Sequence, residues 1–458
     1  MSIPSVLVLP FPAQGHVNPM MNFSQNLVER GCKVYFVNTD FNHKRVVSSM
    51  VKQQKSLDES LLKLVSIPDG LRSPEDDRRD ISKLCDAMIS TMPSMLEKLI
   101  EEIHLNGEDR ISCIVADVNM GWALNVGNKF GIKGALFWPA SAAMFACECN
   151  IHTLIDNGII DSDGIPITEK TFRLSPNMPV MNTKTLLWSN LADSVNLKKI
   201  INYFTHCVGT TNLTEWWLCN TTYELEPGAL SFVPKLLPVG PLLRSYDNKS
   251  VNGRSIGQFW EEDLSCMDWL DQQPHHSVLY VAFGSITLWD QNQFKELALG
   301  LDLTNRPFLW VVRQDSNCTT KITYPNEFIG RKGKIVSWAP QQKVLSHPAI
   351  ACFVSHCGWN STMEGLSNGV PFLCWPYFCD QFFNKKYICD ELKVGFGFDS
   401  DENGLVSRLE IKTKVDQLLS DENIRSSSLM LKEKVTYNIA EGSRSSENFN
   451  RFVKWLKE

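Results

Sequence analysis

The chain has 458 residues, 43% hydrophobic and 21% charged, with a formal net charge of −6. That is the composition of a globular chain with room for two domains, and its negative balance argues against a broad nucleic-acid surface, which needs a basic field. An uncharged apolar stretch of note, between Lys133 and Glu148, is shorter than the roughly 20 residues of a membrane helix, so no integral membrane segment is expected.

Ser5 to Pro10 reads as a first buried strand, and no basic region of a signal peptide precedes its Val6 to Leu9 core. The loop Phe11 to His16 follows. Asn18-Pro19 then predicts a helix start, with Asn18 as N-cap and Pro19 in the first turn. That helix runs to Arg30, Gly31 closes it, and Lys33 to Asn38 is the second strand. The unit is strand–helix–strand and of Rossmann-like kind. It lacks G-x-G-x-x-G, which disfavours a nicotinamide dinucleotide and a dehydrogenase. Ile111 to Ala116 is a further buried strand with Asp117 at its carboxyl end. In a parallel sheet His16 and Asp117 then share one rim. An Asp that accepts from one imidazole nitrogen fixes the tautomer and leaves the other nitrogen to take a proton. Each residue also has a plain reading as a polar loop group.

Phe137 to Phe145 and Asn177 to Trp188 are rich in aromatics, Met and Pro. They are either core and surface loop or the wall of an apolar pocket. Residues 157–187 show no clear period and are expected to be loop. Pro238 to Pro241 ends the first domain, and the polar stretch 244–257 reads as a linker. Ser277 to Phe283 is the first strand of a second domain, with Gly284-Ser285 at its carboxyl end; Phe308 to Val312 and Ile335 to Trp338 follow as strands. Ile350 to Ser355 is another buried strand. It stops at His356-Cys357-Gly358-Trp359-Asn360-Ser361, and a helical pattern runs to Asn368 with Gly369 as its stop. His356, Asn360 and Ser361 thus stand where a strand ends and a helix begins, a place that favours an anion. The bland reading of Ser361 and Glu364 is a capping box, S-x-x-E, and that of Asp380 is an N-cap. The strings Asp161-Ser-Asp163 and Asp399-Ser-Asp401 resemble metal-binding D-x-D, but their Gly-neighboured contexts read as turns. The 14 cysteines show no metal-like pairing and imply free thiols in a reducing compartment, so a cytoplasmic location is expected.

The segment from Trp338 to Gln381 spans 44 residues. It carries W-A-P-Q, H-P-A, H-C-G-W-N-S, a Glu, G-V-P, a Pro and D-Q in that order. It resembles the signature box of the plant family 1 UDP-glycosyltransferases, and the resemblance extends over essentially the whole chain. Ala351-Cys352 replaces glycines common in that family, in what reads as strand interior. The resemblance implies an α/β protein of GT-B type, two Rossmann-like domains facing each other across a cleft. Residues 1–243 would bind the acceptor, 244–257 would link, and 258–441 would bind the UDP-sugar. A terminal helix at 442–458 would return to the first domain. His16 would be the catalytic base and Asp117 its partner. Ser285 would lie beside the diphosphate. Trp338, Ala339 and Gln341 would hold the uracil, Trp338 by stacking and Gln341 at the ring edge. His356, Asn360 and Ser361 would meet the phosphates, Glu364 the ribose hydroxyls, and Asp380 and Gln381 the sugar. Trp359 together with Gln381 points to glucose. The implied chemistry is inverting transfer from UDP-glucose as co-substrate, with no metal and no cofactor. The acceptor would be a small apolar molecule, a flavonoid or other phenolic first and a triterpenoid, steroid or hormone second. A monomer is expected. A non-catalytic sugar-nucleotide sensor would keep the box and lose the His16–Asp117 pair.

Overall fold

The computed structural model describes residues 3–52, 61–72, 78–106, 109–189, 191, 193–243, 256–313 and 323–458; most of the expected linker, 244–255, lies outside them. Two compact units emerge: Met1–Glu261 with Tyr437–Glu458, and Glu262–Thr436.

The first unit is built on β1 (Ser5–Leu9), β2 (Lys33–Thr39), β3 (Leu62–Ile67), β4 (Ile111–Asp117) and β5 (Lys133–Trp138). A separate antiparallel pair follows, β6 (Thr171–Phe172) and β7 (Met181–Asn182), and then β8 (Trp217–Cys219) and β9 (Leu236–Pro238) return to the main sheet. Its order is β3-β2-β1-β4-β5-β8-β9, with every pairing parallel. Strands covered on both faces need unbroken apolar runs, and all five residues of β1 are buried. The strand order reverses between β1 and β4, the switch point at which such sheets bind ligands.

Two expectations need correction here. The first helix spans Gln14–Glu29 with Ala13 as N-cap, so Asn18 is not the cap and Pro19 lies inside the helix. The turn is drawn forward because Gln14 is buried and bonded: its Oε1 accepts from Phe259 N–H at 2.8 Å, and its Nε2 donates to the Gly257 carbonyl at 3.2 Å. Residues 256–261 accordingly belong to the first unit. The segment 157–187 is likewise more than loop. It holds the β6–β7 pair, and Thr183 is fully buried, bonding the 168–170 backbone from both sides.

The last helix, Arg444–Lys457, is capped by Ser443, whose hydroxyl accepts from Ser446 N–H. Its Phe449, Phe452, Val453 and Leu456 complete the first unit's core beside Phe23 and Phe137, with Phe449 edge-on to Phe23 at 5.3 Å.

The second unit carries β10 (Val278–Ala282), β11 (Phe308–Val311), β12 (Gly333–Val336), β13 (Ile350–Ser355), β14 (Phe372–Cys374) and β15 (Gly395–Gly397). Their order is β12-β11-β10-β13-β14-β15, again all parallel. This is the doubly wound order of a Rossmann fold, and its reversal falls between β10 and β13. Leu279, Val281, Val354 and Leu373 bury that sheet against Phe294, Leu297, Ile411 and Val415.

Candidate active site

His16 and Asp117 meet at the first unit's switch point. His16 occupies the first turn of Gln14–Glu29, just beyond β1, and Asp117 ends β4. His16 Nδ1 stands 2.7 Å from Asp117 Oδ2. The imidazole is one-quarter exposed and the carboxylate is fully buried. Asp117 Oδ1 accepts from Asn119 N–H at 2.9 Å, which locks the carboxylate plane. With Nδ1 donating to Asp117, the basic lone pair is on Nε2. Phe11, 5.1 Å from the imidazole centroid, walls one side.

The second unit gathers the signature box around its own switch point. Gly284 follows β10, and His356 follows β13. A Cβ on Gly284 would lie 2.5 Å from His356 Nε2, and one on Gly358 would lie 2.6 Å from the same atom. The ring therefore fits only between two glycines. His356 Nδ1 is shielded from solvent and has no hydrogen-bond partner among the described residues. Burial, opposed in part by a hydrogen bond to the Ala282 backbone and aided by the Arg313 cation, holds the imidazole down to about 4. It is neutral near pH 7 and can donate a hydrogen bond without carrying charge.

The next helix spans Trp359–Asn368 and is N-capped by Gly358, which offers no side-chain bond; Gly369 ends it at φ 68°. Ser361 is therefore inside the first turn and not a cap, so the capping-box reading fails. Ser361 and Glu364 sit one turn apart, and Gln341 bridges them. Its Nε2 donates to Ser361 Oγ at 2.8 Å and to Glu364 Oε2 at 2.6 Å, while its Oε1 accepts from Tyr280 at 3.1 Å. The Gln341 amide, expected at a uracil edge, is thus held on its own neighbours. Trp338 lies just past β12, partly exposed, with Ala339 buried behind it. Trp359 is 3% exposed, so its indole is part of the interior, and Asn360 beside it is half-buried.

Asp380 stands at an N-cap position yet makes no cap bond. Its Oδ2 accepts from Asn384 Nδ2 at 2.8 Å, and the same amide donates to the Cys357 carbonyl at 2.9 Å. Gln381 Oε1 accepts from Tyr377 and Phe378 N–H at 2.8 and 2.9 Å. Two N–H donors fix which end of that amide is oxygen and turn Nε2 away as the donor. Ser285 is half-buried, and its carbonyl is held by Arg313, whose Nη2 also donates to the Thr287 carbonyl. Both D-x-D strings are turns: Asp161 Oδ1 accepts from the N–H of Asp163 and Ile165, and Asp401 Oδ1 from that of Asn403 and Leu405. Among the described residues, no group of three or more His, Cys, Asp or Glu could hold a metal ion, and no helix is long and apolar enough to cross a membrane.

Two family descriptions match this chain: glycosyltransferase N-terminal domain over residues 3–124, and UDP-glucuronosyl and UDP-glucosyl transferase over residues 253–434. UDP-glycosyltransferase 83A1 of Arabidopsis thaliana is 43% identical, over 100% of this chain and 97% of that protein. The chain belongs to the UDP-glycosyltransferase family. A Polygonum tinctorium UDP-glucosyltransferase capable of glucosylating indoxyl, solved with 3,4-dichloroaniline, superposes with a TM-score of 0.83 at 25% identity, covering 100% of both chains. Phytolacca americana UGT2, solved with UDP-2-fluoro-glucose and pterostilbene, gives 0.79 at 26%, covering 99% of each. As a UDP-glycosyltransferase, the chain has the GT-B fold of these neighbours.

Arg313, Asn384 and Tyr280 are the site residues that motif reading of this UDP-glycosyltransferase missed. Arg313 acts by positioning the turn around Ser285. Arg313→Met is expected to weaken UDP about tenfold with the acceptor KM unchanged, as two charge-assisted bonds to that turn are lost; titration calorimetry with UDP checks it. His356 makes a second prediction. Its unfolded imidazole titrates at 6.5 and its folded one at about 4. Between these values the unfolded chain binds more protons, so stability falls as pH drops. The loss from about pH 7 to about pH 5 should be on the order of 2 kcal/mol. Denaturant melts of His356→Asn should show a correspondingly flatter profile.

Proposed function

We propose that this UDP-glycosyltransferase transfers glucose from UDP-glucose, with inversion, to a hydroxyl of a small apolar acceptor. A flavonoid or other phenolic is the first class to test, and a triterpenoid, steroid or hormone the second. The observation that carries the reading is the 2.7 Å His16–Asp117 pair at a switch point. His16 Nε2 takes the proton as the acceptor oxygen attacks the anomeric carbon. The imidazolium that forms is met by the buried Asp117 carboxylate.

Departing UDP carries growing negative charge. Ser361, neutral His356 and the N-terminal turn at Trp359 stabilise it through hydrogen bonds and the helix dipole. Glu364 takes the ribose hydroxyls in competition with Gln341. Asp380, aimed by Asn384, and Gln381 Nε2 take the sugar hydroxyls. Side chains and the helix N-terminus supply every step, with the protein acting as a metal-independent cytoplasmic monomer. The Phytolacca complex, which holds a phenolic stilbene and a glucose nucleotide, supports this choice of classes.

The test is mass spectrometry of products from UDP-glucose and a panel of flavonoids, phenolic acids, triterpenoids, steroids and hormones, with and without EDTA. A gain of one hexose, as the β-anomer and at a rate unchanged by EDTA, is expected. An α-linked product overturns inversion, and UDP-glucose binding with no transfer to any acceptor favours the sensor.

A further inference from the structure

His16 reaches Asp117 from a turn that has no side-chain cap. The helix Gln14–Glu29 begins after Ala13, and His16 N–H and Val17 N–H both donate to the Ala13 carbonyl at 2.9 Å. An uncapped first turn frays readily. Yet this turn carries the imidazole, and a group that moves a proton must be held to within about 0.5 Å. Asp117 holds the far end of the side chain at 2.7 Å. The near end is held by residues more than 240 positions away in the chain.

Those residues are where the expected linker ends. Gln14 is buried, and both ends of its amide are engaged there. Oε1 accepts from Phe259 N–H at 2.8 Å, and Nε2 donates to the Gly257 carbonyl at 3.2 Å and to Gln258 Oε1 at 3.3 Å. Gln258 Nε2 in turn donates to Asn18 Oδ1 at 3.2 Å. Gln14 and Asn18 lie one turn apart on the helix, on either side of His16 in the sequence. The segment 257–260 is itself fixed. Ser49 Oγ donates to the Gln258 carbonyl at 2.8 Å, and the Arg45 guanidinium lies 4.6 Å from the Phe259 ring centroid and 4.4 Å from that of Trp260. Gly257, at φ +87°, approaches Met21 so closely that an added Cβ would stand 3.1 Å from its side chain. Asn42 Nδ2 secures the loop ahead of the helix by donating to the Pro12 carbonyl at 2.9 Å. An attachment that only tied the chain to the first unit would need no particular place on it. These bonds fall on the two residues that bracket His16.

We propose that Gln14, held by Gln258, is a positioning residue for the reaction: it fixes the backbone from which His16 reaches Asp117, and so sets how well His16 Nε2 takes the acceptor's proton. The role rests on the reading of His16 as the general base. It requires no contact with donor or acceptor. Without the strut the His16–Asp117 bond can still form, but the imidazole turns about it, and Nε2 meets the acceptor hydroxyl over a wider spread of geometries.

Acceptor acidity tests it. Gln14→Met keeps the length of the side chain and removes its bonds to Gly257, Gln258 and Phe259. Gln258→Met removes the bonds to Gln14 and Asn18 from the other side, and decides the matter if Gln14→Met fails to fold. With UDP-glucose, each variant should lower kcat about tenfold for 4-nitrobenzyl alcohol. The loss should be less than about twofold for 4-nitrophenol, which is already ionised and needs no base. The Kd for UDP should stay within about twofold. The far-downfield proton NMR signal of His16 Nδ1–H, which needs no turnover, should be present in the wild type and shifted or broadened in both variants. Equal losses with the two acceptors mark a general disruption and overturn the assignment, as does an unchanged rate with the alcohol or an unmoved proton signal. His16→Ala on the same two acceptors separates this role from the reading beneath it. If its loss is indifferent to acidity, the base assignment fails and the positioning role with it. If its loss depends on acidity and neither glutamine variant's does, the positioning role alone is overturned.

Discussion

His16→Ala is expected to lower kcat by about 10²–10⁴-fold, the range that a positioned general base supplies, with the Kd for UDP unchanged because UDP's expected ligands are all in the second unit. The loss should shrink as the acceptor hydroxyl becomes more acidic, since a nitrophenol is already ionised and needs no base. Asp117→Asn should come close to the same loss by a different route. Asn119 N–H already claims Oδ1, so an asparagine would keep its oxygen there and turn its NH₂ toward His16 Nδ1. Nδ1 would then have to accept, the ring proton would move to Nε2, and the nitrogen facing the acceptor could no longer take a proton. Turnover of a weakly acidic alcohol at the wild-type rate by either variant sinks the base assignment.

The second large effect belongs to a glycine. Gly284→Ala should weaken UDP binding about 100-fold by calorimetry. The new methyl would lie 2.5 Å from His356 Nε2 and 2.9 Å from Cε1, inside any tolerable contact. The backbone cannot retreat easily, because Arg313 holds the carbonyls of Ser285 and Thr287. Gly284 also sits at φ +67°, where a side chain costs about 1–2 kcal/mol. Gly31→Ala separates the two causes. It has a similar φ of +77° with nothing within 4 Å of the added methyl, so it carries the strain without the clash. If Gly284→Ala lost stability to the same degree as Gly31→Ala and bound UDP normally, the tight fit around His356 would be irrelevant to the donor.

Much of this was legible in the sequence, for a physical reason. Parallel strands are buried on both faces, so Ile350–Ser355 and Ile111–Asp117 announce themselves as apolar runs, and the polar residue that ends each run lies on the ligand-facing rim. Gly369 as a left-handed stop was readable because only backbone chemistry is involved. Helix starts were less legible. S-x-x-E at Ser361 fits a cap, yet Gly358 takes that place, and Asn18-Pro19 looked like a beginning when Gln14 had already begun the helix through bonds to residues more than 240 positions away. Arg313 and Asn384 were invisible for a related reason. What marks them is a partner distant in the chain, and no local pattern encodes it.

The final helix fixes the order in which the protein can be made. Phe449, Phe452 and Leu456 fill the space beside Phe23, yet more than 400 residues separate the two sets along the chain. As a nascent polypeptide leaves the ribosome, the second unit is contiguous and can close at once. The first is begun earlier but stays open along one side until the helix Arg444–Lys457 emerges. A chain interrupted before residue 444 would leave that aromatic surface of the first unit uncovered.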